Sequence, residues 1–179
     1  LIEPAQVVQS EIARLSHLVE DFLAFSRPVD LASERLDLGE LAHEVARLEA
    51  PDAAARGVEL TAKIPDEPAI IEGDREKLLQ VALNLVRNAL EAIEAEGTIM
   101  LTVRKDKGTA TLTIQDDGPG IKHELLSRIF EPFFSTKATG TGLGMPISHN
   151  IVTQHHGEMH VDSSSEGTSV GLEFPLAGA

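Results

Sequence analysis

Two asparagines four residues apart, Asn84 and Asn88, stand in the run Leu78-Leu79-Gln80-Val81-Ala82-Leu83-Asn84-Leu85-Val86-Arg87-Asn88-Ala89-Leu90-Glu91-Ala92. On a helix that spacing puts both carboxamides on one face, with Leu79, Leu83, Val86 and Leu90 expected on the other. A carboxamide oxygen is a hard, neutral ligand. It suits Mg²⁺, which is held by one or two protein oxygens together with phosphates and water. Taken alone, the pair fits a surface helix with two ordinary asparagines equally well.

A second segment, Ile114-Gln115-Asp116-Asp117-Gly118-Pro119-Gly120-Ile121, ends a strand in a carboxylate and follows it with two glycines around a proline. Glycine lets backbone approach a ligand closely, and a carboxylate at a strand end can accept a hydrogen bond from an exocyclic amine. A tight turn is the plainer reading of the same residues. The third segment is Phe130-Glu131-Pro132-Phe133-Phe134-Ser135-Thr136-Lys137-Ala138-Thr139-Gly140-Thr141-Gly142-Leu143-Gly144, which holds three of the six phenylalanines and then glycine at every second position. Glycine-rich backbone that runs into a helix offers N–H groups and the helix dipole to an anion. Lys137 can add a point charge. A flexible linker is a poor alternative here, because linkers seldom carry clustered phenylalanines.

These segments need elements to hold them. From Val8 the apolar positions Val8, Ile12, Leu15, Val19 and Phe22 make one narrow stripe on a long amphipathic helix, the seam of a coiled coil or bundle. Ser26-Arg27-Pro28 stops that pattern. Alone, such a helix cannot bury its stripe. Asp37, with Glu40 three residues on, is expected to cap a helix reaching about Arg56. Val58 to Ile64 alternates as a strand, Ala69 to Ile71 is a short one, and Asp74 caps a helix from about Arg75 to Ala95. Thr98 to Arg104 and Ala110 to Gln115 form a hairpin through Lys105-Asp106-Lys107-Gly108. A short helix is expected near His123 to Ile129, another from Met145 to His156, and Glu158 to Asp162 with Thr168 to Phe174 make a second hairpin. Helices and strands mixed without strict alternation, with hairpins at both ends of the sheet, indicate an α+β two-layer sandwich.

The whole chain sets outer bounds. Its 179 residues suffice for one well-packed domain with a small appendage. It contains no cysteine, so disulfides, thiolate metal sites and cysteine nucleophiles are excluded. A formal charge of -14 argues against nucleic-acid binding, which needs a field of Lys and Arg, and reads more plainly as solubility. No apolar run approaches the roughly 20 residues of a spanning helix. The residues are expected to be cytoplasmic and to make no membrane contact. The first residue is Leu1, which fits a fragment with any membrane anchor upstream.

In this order and spacing the three segments resemble the asparagine box, first glycine box, phenylalanine box and second glycine box of the sensor histidine kinases, and Gly167-Thr168-Ser169-Val170-Gly171-Leu172-Glu173-Phe174-Pro175 is similar to that family's last box. The resemblance covers about residues 35 to 177. It implies a Bergerat ATP-binding fold over residues 34–179, a mixed sheet with three helices on one face. Residues 1–33 would be the second helix of the dimerisation hairpin and its linker.

The resemblance also implies a site for ATP and Mg²⁺. Asn88 would ligate the metal, with Asn84 assisting at the metal or the phosphates. Asp116 would bind the adenine amine, Gly118, Gly120 and Ile121 would line base and ribose, and Thr168 would support the adenine site. Residues 130 to 141 would form a lid, with Thr136, Lys137, Gly140, Thr141, Gly142, Leu143 and Gly144 around the phosphates. The phenylalanines would dock that lid onto the neighbouring hairpin. Many relatives carry Lys three residues beyond the metal asparagine. Here that position is Glu91, so a phosphate contact would fall to Arg87 or Lys137.

The same fold serves ATPases such as gyrase, a mismatch-repair protein and a heat-shock chaperone, so fold alone does not fix function. Those ATPases resemble one another in a water-activating glutamate one turn before the metal asparagine; this chain has Asn84 there. The expected activity is therefore transfer of the γ-phosphate to a histidine, then to a response-regulator receiver domain, in a homodimer formed through the hairpin. The phosphoacceptor motif is absent: His17 lacks the pattern, and His43 lacks its proline and falls inside the catalytic domain. His155 and His156 before Gly157 match the family's helix ending. The alternatives are a non-catalytic nucleotide-gated interaction module, an ATPase, or a serine kinase acting on an anti-sigma antagonist.

Overall fold

The computed structural model describes residues 31–137 and 140–178. The helix expected around Val8 to Phe22, the domain assigned to residues 1–33 and His17 therefore lie almost wholly outside the described residues.

β1 (Glu34–Asp37) runs directly into α1 (Leu38–Ala55). Asp37 ends the strand and caps the helix, its Oδ1 accepting the N–H groups of Gly39 at 2.9 Å and Ala69 at 3.1 Å. One carboxylate thus satisfies an orphan donor of the helix and pins the chain just before β3 (Ile70–Gly73). After α1 comes β2 (Val58–Lys63), and after β3 comes α2 (Arg75–Ala92). Asp74 caps α2 through the Lys77 N–H at 3.1 Å. The chain continues through β4 (Gly97–Asp106), β5 (Thr109–Asp116), the single turn α3 (His123–Leu126), α4 (Gly144–Gln154), β6 (Glu158–Ser164) and β7 (Gly167–Pro175).

Five strands form one mixed sheet in the order β2-β4-β5-β7-β6, with β2 parallel to β4 and the other pairs antiparallel. β1 and β3 pair separately, and an isolated bridge from Ile71 to Leu176 joins this ribbon to the end of the chain. Period-two alternation decides which sheet face is covered. Ile99, Leu101 and Val103 on β4 and Ala110, Leu112 and Ile114 on β5 point inward and are buried. The helices lie over them, with α2 between α1 and α4. Leu38, Leu41, Leu78, Val81, Leu85, Ile151 and Val152 complete the core from the helix side.

Four expectations need correction. α2 ends at Ala92 rather than Ala95, and the short helix stops at Leu126 rather than Ile129. β1 occupies residues for which no strand was expected ahead of the Asp37 cap. Only the β6–β7 hairpin lies at a sheet edge: the β4–β5 hairpin is central, because β2 and β7 flank it.

Candidate functional site

A cavity of about 900 Å³ opens between α2, α4, the end of β5 and residues 134–137 and 140–142. The register of the sheet builds its floor. Asp116 is the last residue of β5 and stands opposite Thr168 on β7, so its Oδ1 accepts the Thr168 N–H at 3.3 Å and, from the turn beyond, the Gly118 N–H at 2.9 Å. The other oxygen takes no hydrogen bond from the described residues, and Asp116 lines the cavity. Burial pushes this carboxyl above the usual range, against the pull of those two N–H groups. Its neighbour Asp117 behaves oppositely. It accepts the N–H and hydroxyl of Thr98, each at 2.8 Å, and the backbone bond holds its carboxyl below the usual range.

Ser163 organises the next layer. Its Oγ accepts the Ile121 N–H at 2.7 Å, donates to the Gly167 carbonyl at 3.1 Å and lies 3.0 Å from the Thr168 hydroxyl. This hydroxyl fixes the turn after Asp116 against the β6–β7 hairpin. Sequence reading did not single it out, and its only signal was a place just before the hairpin turn.

The helical wall comes from α2 and α4. Asn84 and Asn88 both line the cavity. Asn84 donates through Nδ2 to Ser148 Oγ on α4 at 2.9 Å, which fixes the orientation of its amide, whereas Asn88 makes no side-chain hydrogen bond among the described residues. At Gly144, the first residue of α4, an added Cβ would stand 2.6 Å from Asn84 Oδ1, so glycine permits the close approach of the two helices. Leu79 and Leu83 do not lie on the far face as expected: both are half-buried on the cavity wall, while Val86 and Leu90 belong to the core. An apolar wall beside a polar rim is the usual composition of a small-molecule site.

Ser135, Thr136, Lys137, Gly140, Thr141 and Gly142 close the remaining side. Gly142 adopts φ +67°, and a Cβ there would fall 2.5 Å from the Phe133 carbonyl carbon. The Phe133 N–H donates to the Gly142 carbonyl at 3.0 Å, which holds the two ends of this segment together. Its phenylalanines are separately placed: Phe130 packs 5.0 Å from the His149 ring on α4, Phe134 lies 4.2 Å beneath the Arg128 guanidinium, and Phe133 is 60% exposed.

Thirteen of the fifteen residues expected at the site share this one cavity. Gly118 and Leu143 do not line it. Gly118 is buried behind Asp116, to which it donates, and Leu143 is fully buried in the core at the start of α4. Their contribution is to shape the wall from behind.

Two cations stand on the wall, and each already has a partner. Arg87 Nε donates to Glu49 Oε1 on α1 at 3.0 Å, with side chains 62% and 6% exposed. Lys137 Nζ lies 2.5 Å from Glu91 Oε2 on α2, with side chains 36% and 50% exposed. Glu49 is the buried carboxylate of the two, so breaking its pair would leave a buried charge without its cation, whereas an exposed pair is worth only about 0–1 kcal/mol. Arg87 is therefore held to Glu49, and Lys137 is the cation able to change partners.

A cleft of this kind defines a nucleotide-binding α/β sandwich, with an acid on the floor, paired carboxamides on one helix and glycine-rich backbone leading into another. Residues 73–178, more than half the chain, match the family described as histidine kinase-, DNA gyrase B-, and HSP90-like ATPase. The chain is 32% identical to the catalytic domain of histidine kinase ThkA, with a TM-score of 0.74 over 80% of this chain and 97% of that one. It is 29% identical to full-length ShkA in complex with AMPPNP, with a TM-score of 0.85 over 100% of this chain and 40% of that one. The sensor histidine kinase ZraS of Escherichia coli (strain K12) is 37% identical over 173 residues, 96% of this chain and 37% of the relative. The chain belongs to this ATPase family, as a catalytic ATP-binding domain of the histidine kinase type. It spans little more than a third of ZraS. Among the described residues, no helix is long and apolar enough to cross a membrane.

Proposed function

We propose that this chain binds Mg-ATP in the cavity and presents its γ-phosphate to a histidine on an upstream helix, for relay to a response-regulator receiver domain. The observation that carries the reading is the convergence of Asn88, Asp116 and the glycine-rich segment from Gly140 to Gly144 on one cavity. The free oxygen of Asp116 would accept the adenine amine, with Thr168 and Gly118 holding the carboxylate in place. Leu83 and Ile121 supply apolar surface for the base and ribose. Gly142 and Gly144 allow backbone to approach the phosphates, near the positive end of α4.

The residues present also fit a magnesium ion: Asn88 has an uncommitted carboxamide on the wall, and Ser148 orients the amide of Asn84 beside it. Mg²⁺, when bound, would offset phosphate charge. The P–O bond to the β-phosphate breaks as a bond forms to an imidazole nitrogen, and ADP leaves. This domain's own share of the catalysis is positioning and charge stabilisation.

ATP hydrolysis is the runner-up, and Asn84 speaks against it. An amide cannot take a proton from water, and loss of a positioned base costs about 10²- to 10⁴-fold in rate. The test is to incubate the purified chain with labelled ATP and magnesium, alone and with the upstream helical hairpin added in trans. Acid-labile label should appear on the hairpin and none on this chain. Label on residues 1–179, or rapid phosphate release with no label on the hairpin, would contradict the proposal.

A further inference from the structure

Asn88 and Glu91 are three residues apart on α2 and so share a face, which sets a carboxylate beside the carboxamide proposed to face the phosphates. A polyphosphate entering that corner would meet repulsion unless Glu91 were neutralised, and Lys137 neutralises it across 46 residues of sequence. The charged groups on the wall are Glu76, Glu91 and Asp116 against Arg87 and Lys137. The wall is therefore net negative before any nucleotide binds. Arg87 cannot relieve this, because leaving Glu49 would strand a buried carboxylate.

We propose that Glu91 is a resident counter-ion which Lys137 leaves for the terminal phosphates of a nucleoside triphosphate, so that the pair sets the preference for triphosphate over diphosphate; this rests on the nucleotide reading of the cavity. The root of Lys137 is fixed for such an exchange: Ser135 Oγ accepts its N–H at 3.1 Å and donates to its carbonyl at 3.2 Å. Its ammonium group has only an exposed bond to give up. Arg87 serves instead as a structural tie between α1 and α2.

Calorimetric titration of the chain with ATP, ADP and adenosine in excess MgCl₂ tests this. Lys137→Met should weaken ATP about tenfold, the size of one lost charge-assisted contact, while leaving adenosine unchanged. Glu91→Gln should tighten ATP about two- to fivefold, as expected for removal of an exposed competitor. Arg87→Gln should lower the melting temperature and leave the ATP-to-ADP ratio as it was. The proposal is overturned if Lys137→Met weakens ATP and ADP equally or neither, if Glu91→Gln weakens ATP, or if Arg87→Gln shifts the ratio more than Lys137→Met. A folded wild-type chain that bound none of the three would instead overturn the nucleotide reading itself.

Discussion

Asp116 combines two demands in one carboxylate, since Oδ1 is spent on the backbone of Gly118 and Thr168 and the other oxygen is left to the cavity. The sign of its pH dependence follows from its raised pKa. Ionising a buried acid opposes folding, so its stabilising contribution is present at low pH and is lost as pH rises through the raised value. Nucleotide affinity runs the other way. Accepting the adenine amine requires the ionised form, so affinity should fall as pH drops through that value, beginning above the ordinary aspartate pKa of about 3.9. Asp116→Asn, which keeps an oxygen for the two N–H groups, should preserve folding, weaken ATP at neutral pH by at least about tenfold and remove the acid-side dependence. Calorimetry across pH reads both effects, and unchanged affinity would overturn the assignment. Asn88 offers a complementary case. It is tied to no described residue, so Asn88→Ala should change stability by no more than about 0.5 kcal/mol, yet abolish the gain in ATP affinity on adding magnesium.

α2 carries both asparagines and Glu91, so its two ends govern the geometry of the wall. Asp74 caps its start and also accepts the Ala32 N–H at 3.0 Å, while its own N–H donates to the buried His155 Nε2 at 2.9 Å. His155 Nδ1 lies 2.7 Å from the Ile151 carbonyl, which fixes the ring as the donor there. Asp74→Ala should cost about 1 kcal/mol from the lost cap, read as a melting shift of roughly 2–4 °C, with ATP affinity little changed. Gly144→Val should do the reverse in emphasis. Forcing α4 off Asn84 costs about 1–3 kcal/mol and should also weaken ATP, because Asn84 and the phosphate-facing backbone both move. The elements carrying these effects were legible in sequence where a cap announced them, as at Asp37 and Asp74. β1 was not legible, because its four residues gain a strand partner only from distant β3. The faces of α2 were misjudged at Leu79 and Leu83, since helical periodicity separates apolar from polar positions but cannot tell a core from an apolar cavity wall.

At the scale of the whole molecule, the sheet order brings Asp116, Thr168 and Ser163 together from three strands. That order depends on β7 inserting between β5 and β6, a non-local choice with no local sequence signal. The boxes were legible because glycine, asparagine and phenylalanine occur in unusual concentration. The ion pairs that divide Arg87 from Lys137 were not, because their partners Glu49 and Glu91 look like ordinary solvated glutamates until burial distinguishes them. The account as a whole depends on one nucleotide touching three separated segments at once. The most direct measurement is to titrate AMPPNP with magnesium into isotope-labelled chain and follow backbone amide resonances. The account predicts one saturating transition in which Asn88, the Asp116–Gly118 turn with Thr168, and Gly140 to Gly144 shift together. Shifts confined to one of these segments, or to the half-buried opposite sheet face around Thr102 and Thr113, would contradict it.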